Sequence, residues 1–137
     1  MPMVGLGVYN ISNHETRSVV ENALGLGYRS IDTASMYYNE KSVGEAVRAS
    51  TIPRDELFVT TKICDPCYTR EETLRTVDHS MRLLGLDYVD LMLIHWPVGD
   101  PVVMWETLEE LYHKGLFRAI GVSNFYPHTF SKSVENA

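Results

Sequence analysis

Four short apolar runs in this chain each end on a polar side chain, about thirty residues apart, and that rhythm leaves few folds open. Residues 28–31 run into Asp32, 57–61 into Lys62, 89–94 into His95, and 119–122 into Ser123 and Asn124. Each run has the length of a buried strand, and the stretches between them repeat apolar residues at helical spacing. Strands alternating with helices build a parallel sheet. In such sheets ligands gather outside the carboxyl ends of the strands. A carboxylate, an ammonium, an imidazole and a hydroxyl–amide pair are therefore expected on one rim.

The intervening stretches carry their own start and stop signals. Residues 3–9 form a glycine-broken apolar run, expected as a first strand that ends in a loop. Ser12 or Asn13 opens a helix whose stripe is Val19, Val20, Ala23 and Leu24, with Gly25 and Gly27 closing it. A loop holding Met36, Tyr37 and Tyr38 follows Asp32, then a helix near 39–49 with Val43, Ala46 and Val47 inward. Thr69 and Glu72 make a capping box for a helix through Leu84, stopped by Gly85. A further helix carries Trp105, Leu108, Leu111 and Tyr112 up to Gly115, and the fifth strand spans 117–122.

The 137 residues amount to one domain, long enough to bury a core. A net charge of -6 argues against a dedicated nucleic-acid or anionic-membrane surface. No apolar stretch approaches the roughly 20 residues that span a bilayer, and residue 1 is not followed by a signal-peptide pattern. Two cysteines make no disulfide framework. The expectation is a mildly acidic, cytoplasmic α/β protein. Five βα steps fall short of a closed (β/α)8 barrel, which takes about 250 residues. An open five-stranded sheet is the other arrangement, with its two edges unpaired. The sequence starts almost on a strand and stops inside a sixth crossover, so both ends read as cut.

Each rim residue has an ordinary structural use. A strand-end carboxylate such as Asp32 is commonly a cap or loop acceptor, and a strand-end lysine commonly snorkels to solvent. His95 between Ile94 and Trp96 could be a core imidazole bonded to a carbonyl, and Tyr37 a packing residue. Lys62 is the most telling, because a lysine after so apolar a run buries its stem, and a buried ammonium needs a partner. Asp32, one strand over, is the nearest. A phenol, a cation, a carboxylate and an imidazole on one rim suit proton transfer to a carbonyl oxygen. They are expected to share one hydrogen-bonded cluster.

Residues 27–34 (Gly27, Tyr28, Arg29, Ser30, Ile31, Asp32, Thr33, Ala34), with Tyr37, Asn39, Glu40 and Gly44 after them, resemble a motif of the aldo-keto reductases. Residues 60–62, 93–97 and 119–125 resemble that family's next three blocks in order, and Gly5-Leu6-Gly7-Val8-Tyr9 its first strand end. The resemblance covers essentially the whole chain and is to the small, single-domain reductases of microbes and protozoa. It implies a TIM barrel, present over residues 1–137 as strands 1–5 and truncated at the C-terminus. It also implies hydride transfer from a nicotinamide cofactor, usually NADP(H), to an aldehyde or ketone. Tyr37 would be the general acid, Lys62 and Asp32 would tune it, and His95 would orient the carbonyl. Ser123 and Asn124 would hold the nicotinamide carboxamide, and Asp32 would also touch the cofactor ribose. Gly7, Val8 and Tyr9 would lie beside the cofactor, with Tyr9, His95 and Trp96 toward the substrate. An ammonium about 4 Å from a unit charge is worth about 4 kcal/mol at an effective dielectric of about 20, enough for Lys62 to matter to the phenol.

The chain departs from that pattern at Val8, where the family often has threonine, and at Cys64, where a tryptophan is common. Its last three strands, with their share of the cofactor cleft, are not in the sequence. A partial chain of this fold, inactive or serving as a partner surface, is the alternative reading. Such a chain alone is expected to self-associate through its open edges or fold poorly, and to bind NADPH weakly. A remoter alternative is a thiol-redox protein, because Cys64-Asp65-Pro66-Cys67 follows a strand and precedes a helix. Against it, the cap at Thr69 comes two residues late. His14, His79, His113 and His128 lack ligand spacing, so no metal is expected. Gly5 and Gly7 are no dinucleotide fingerprint, since no third glycine opens a helix.

Overall fold

Strands β1 (Leu6–Gly7), β2 (Ser30–Asp32), β3 (Phe58–Ile63), β4 (Leu91–Ile94) and β5 (Ile120–Val122) form one sheet in sequence order. Every pair is parallel. The computed structural model describes residues 1–127. His128 and the expected sixth crossover beyond it lie outside them. Helices α1 (Asn13–Gly25), α2 (Glu40–Ala49), α3 (Arg70–Leu84) and α4 (Pro101–His113) fill the crossovers. Parallel crossovers are right-handed, and the strand order never reverses, so every helix falls on the same face of the sheet. Neighbours in sequence accordingly pack side by side, α1 on α2, α2 on α3 and α3 on α4.

The helix boundaries follow from local chemistry. At α3 the Thr69 hydroxyl accepts the Glu72 N–H, and the Glu72 carboxylate reaches back to the Thr69 N–H, closing the capping box. Gly85 ends that helix in the left-handed region, at φ 60°. Asp100 accepts from the Val102 and Val103 N–H groups to start α4, with Pro101 in the first turn. Between the layers lies a core of Val20, Leu24, Val43, Val47, Val59, Val77, Leu84 and Leu108, all buried.

The strands differ from the runs of apolar residues, and β5, expected over 117–122, covers only Ile120–Val122, with Phe117 making an isolated bridge to Val89. β1 pairs only at Leu6 and Gly7, and Met3 and Val4 stand exposed. β3 continues one residue beyond Lys62, to Ile63, which pairs with Ile94. The β3–β4 ladder begins at Thr60 and Leu91, although the apolar run starts at Val89. The reason is Asp90, buried within that run. Its carboxylate accepts the Val59 N–H at 2.9 Å, and it pairs with Arg54 at 2.8 Å and Arg118 at 3.3 Å. A side chain thus takes a donor that a backbone carbonyl would otherwise receive.

Gly44 sets the spacing of α2 and α3. A Cβ there would lie 1.9 Å from the Leu84 carbonyl oxygen. Gly44→Ala must push the helices apart, and overpacking of this kind costs about 1–3 kcal/mol. The unfolding free energy from urea titration is expected to fall by that amount, with the midpoint moving to lower urea; an unchanged midpoint would show that the two helices slide freely.

Glu40 opens α2 and is buried behind the sheet, accepting from the Thr61 hydroxyl at 2.6 Å. Burial pushes its carboxyl above the ordinary carboxylate range, against the pull of the Thr61 and Ser80 hydroxyls. The folded state therefore holds this proton more tightly than the unfolded chain, and Glu40's contribution to stability falls as pH rises from the ordinary range through the raised value. Glu40→Gln cannot ionise and loses that slope. The stability difference between variant and wild type should shift in the variant's favour from pH 4 to pH 8, read as unfolding midpoints; a shift the other way would mean the carboxylate is well solvated in the fold.

Candidate active site

Lys62 owes its position to alternation along β3. The Thr61 side chain points back to Glu40 in the helix layer, so the next side chain emerges on the opposite face. Its neighbour there is β2, paired residue for residue through Asp32 and Thr60. The Lys62 ammonium donates to Asp32 Oδ1 at 2.5 Å, to the Thr33 carbonyl at 2.9 Å and to the Tyr37 hydroxyl at 3.4 Å. The side chain of Lys62 is 8% exposed and that of Asp32 41%. The pair is thus anchored in the protein at the cation and open to the rim at the carboxylate. Among the described residues Asp32 Oδ2 has no partner.

Tyr37 comes from a short 3-10 turn, Ser35–Tyr37, closed by Tyr38 in the left-handed region at φ 57°. Asn39 holds that loop. Buried completely, it accepts from the Thr33 hydroxyl and donates to the carbonyls of Val8 and Ile11. One amide thereby ties the loops after β1 and β2 together beneath the phenol. Asn39 was not among the candidates from sequence. Its place in the motif, beside Glu40, was the only signal.

His95 directly follows β4, and its N–H donates to the Ile63 carbonyl at 3.0 Å. Its ring meets that of Tyr37 edge-on, with centroids 5.9 Å apart. The expected four-membered hydrogen-bonded cluster thus has three members, because His95 joins by ring contact and its Nδ1 lies 2.8 Å from the Cys64 sulfur. Burial pushes the imidazole below its usual range, the Lys62 charge adds to this, and Asp32 pulls back. These effects favour the neutral ring. Tyr9, 5.0 Å from Tyr37, and Trp96, 5.9 Å from His95, extend the aromatic wall, both well exposed.

Ser123 and Asn124 stand at the end of β5. The Ser123 N–H donates to the Ile94 carbonyl, and Asn124 Nδ2 donates to the His95 carbonyl at 2.8 Å and to Ser123 Oγ at 3.0 Å. Asn124 takes a left-handed backbone, φ 59°, to do so. Its Oδ1 stays without a partner among the described residues. Gly7 is open on the rim, with nothing near the place of a Cβ. Val8 sits differently from its neighbours: it is fully buried, its N–H donates to the Asp32 carbonyl, and its own carbonyl accepts from Ile11 and Asn39. Neither its side chain nor its backbone polar groups are left over for a ligand.

The rim is thus a continuous set running from Gly7 and Tyr9 through Asp32, Tyr37 and Lys62 to His95 and Ser123-Asn124. The sequence profile of the Aldo/keto reductase family matches residues 3–136. The chain belongs to that family. It is 50% identical over 135 residues to a methylglyoxal reductase of Yersinia pestis, covering 93% of this chain and 47% of the relative. It is 48% identical over 130 residues to a 9,11-endoperoxide prostaglandin H2 reductase of Trypanosoma cruzi, covering 93% and 46%. The crystal structure of an aldo/keto reductase from Brucella melitensis superposes with a TM-score of 0.94 at 41% identity, over 100% of this chain and 55% of that one. A Bombyx mori aldo-keto reductase in complex with NADP gives 0.88 at 36% identity, over 100% and 51%. The chain spans about half the length of the curated relatives it matches. Its five parallel strands and their helices correspond to the N-terminal half of the aldo-keto reductase barrel.

Within this aldo-keto reductase framework the two cysteines are separate residues. Cys67 is buried, 3.7 Å from the Thr76 hydroxyl, and Cys64 faces His95. Both are free thiols, and α3 begins three residues past Cys67, so the helix terminus that activates a redox pair is not at hand. Among the described residues no group of His, Cys, Asp and Glu could hold a metal ion. Nor is any helix among them long and apolar enough to cross a membrane.

Proposed function

We propose that this rim reduces the carbonyl group of an aldehyde or ketone, with Tyr37 giving the proton and a reduced nicotinamide dinucleotide, NADP(H), giving the hydride. The observation that carries this reading is the buried Lys62 ammonium, shared between the Asp32 carboxylate and the Tyr37 phenol. Proton donation leaves a tyrosinate, and a cation already hydrogen-bonded to that oxygen stabilises the charge as it forms. Asp32, at 2.5 Å from the ammonium, keeps the cation fixed, while its own exposure stops it from burying a competing negative charge. The neutral His95 ring, edge-on to Tyr37, is placed to hydrogen-bond the carbonyl oxygen and orient it.

The residues present fit the cofactor. Asn124 Oδ1 and the Ser123 hydroxyl offer an acceptor and a donor to a carboxamide, and Asp32 Oδ2 offers an acceptor to a ribose hydroxyl. Gly7 leaves the rim open beside them. When bound, the dihydronicotinamide supplies the hydride. Tyr9 and Trp96, exposed on either side of Tyr37 and His95, flank the substrate. Relatives named for methylglyoxal and glyoxal favour small carbonyl compounds as the substrate class.

Tyr37→Phe removes the hydroxyl and keeps the ring in place against Tyr9 and His95. In the intact protein kcat for carbonyl reduction should fall on the order of 10²–10⁴-fold, the usual worth of a general acid, with NADPH affinity little changed. Steady-state kinetics and a cofactor-fluorescence titration measure both. Full activity in the variant would move the proton donor elsewhere, with His95 the next candidate.

A further inference from the structure

We infer that Cys64 is a positioning residue: its thiol donates to His95 Nδ1 and so keeps the imidazole proton on Nε2. This rests on the carbonyl-reductase reading above, and concerns how the site holds its imidazole. A neutral imidazole has one N–H and one bare nitrogen, and which is which follows from the hydrogen bond that the other makes. Only an Nε2–H can donate to a carbonyl oxygen while Nδ1 faces the sulfur. With the proton on Nδ1, the nitrogen toward the substrate would be an acceptor facing an acceptor.

The surroundings favour the first arrangement. The backbone of His95 is fixed on both sides, its N–H on the Ile63 carbonyl and its carbonyl on Asn124 Nδ2, so what remains to be set is the ring and its proton. The sulfur lies 2.8 Å from Nδ1, whereas its other acceptor, the Lys62 carbonyl, is 3.6 Å away. With a bare Nδ1 the single S–H goes to the nearer of the two; with a proton on Nδ1 it would be left to the more distant Lys62 carbonyl. Burial pushes the Cys64 thiol up, against the pull of the Ser35 hydroxyl, so it keeps its proton near neutrality. Burial and the Lys62 charge keep the imidazole unprotonated, so a choice of tautomer exists. Among the described residues Nε2 has no hydrogen-bond partner. Cys64 stands two residues beyond Lys62, close enough along the chain to reach the same rim.

The test compares Cys64→Ala with Cys64→Ser in the intact protein. Both substitutions remove the bulk of sulfur, and only serine keeps a donor. With ¹⁵N-labelled histidine, long-range ¹H–¹⁵N correlations report which ring nitrogen of His95 carries the proton. His95→Gln, by deleting the signal, assigns it. Wild type and Cys64→Ser should show Nε2–H, and Cys64→Ala a mixture of tautomers. In parallel, kcat for a small aldehyde such as methylglyoxal should fall about 2- to 10-fold in Cys64→Ala, the worth of one hydrogen bond. The serine variant should recover it, and KM for NADPH should stay constant. An Nδ1–H tautomer in the wild type, or a tautomer that ignores the alanine substitution, would overturn the inference while leaving the reductase reading intact. A wild-type protein that reduces no carbonyl although its tautomer follows Cys64 would overturn the reductase reading, and the positioning role with it.

Discussion

A lysine ammonium taken out of water at the end of a central strand governs what the rest of the rim can be. Leaving such a charge unpaired would cost several kcal/mol, and here three oxygens meet it: a carboxylate, a carbonyl and a phenol. Those oxygens come from β2 and the loop that follows, so the register between β2 and β3 is fixed by charge as well as by apolar packing. The arrangement is asymmetric. The cation is enclosed and its carboxylate partner is half open, which leaves one carboxylate oxygen and the phenol facing outward as usable groups.

Holding the phenol in reach of that cation is the task of the loop between β2 and α2. Its geometry comes from two buried polar residues side by side in sequence that face different neighbours. Asn39 satisfies the carbonyls of Val8 and Ile11, joining the loop to the end of β1. Glu40 reaches behind the sheet to Thr61, next to Lys62 on β3. The site is thus braced from both faces of the sheet, and α2, pressed onto α3 at Gly44, carries that bracing into the helix layer. At the opposite end of the strands Asp90 does similar work, tying β3 at Val59 to Arg54, ahead of that strand, and to Arg118, ahead of β5.

Much of this could be read before any coordinates, for a simple reason. The strand period sends a polar residue at the end of an apolar run to a known rim, and the crossover rule brings successive rims together. Asp32, Lys62, His95 and Ser123-Asn124 were visible on that ground. What could not be read depended on partners distant in sequence. Asp90 looks like a flaw in an apolar run until Arg54 and Arg118 are seen beside it, and it delays the start of β4. Cys64 looks like half of a CxxC pair until His95, thirty-one residues on, is found at its sulfur. Val8 shares a glycine-rich segment with Gly7 and Tyr9, yet the turn after β1 buries it and leaves its two neighbours on the rim.

The central claim, that the enclosed charge of Lys62 is what makes Tyr37 a proton donor, is tested most directly by Lys62→Met in the intact protein. Methionine fills the channel of the lysine stem, and the Asp32 carboxylate left behind is 41% exposed, so water can take the place of its lost partner. A lost interaction of up to about 4 kcal/mol with the tyrosinate corresponds to a fall in kcat on the order of 10²–10³-fold. The account predicts that fall, with the unfolding midpoint and the affinity for NADPH close to wild type. Wild-type turnover in a folded Lys62→Met protein would contradict it.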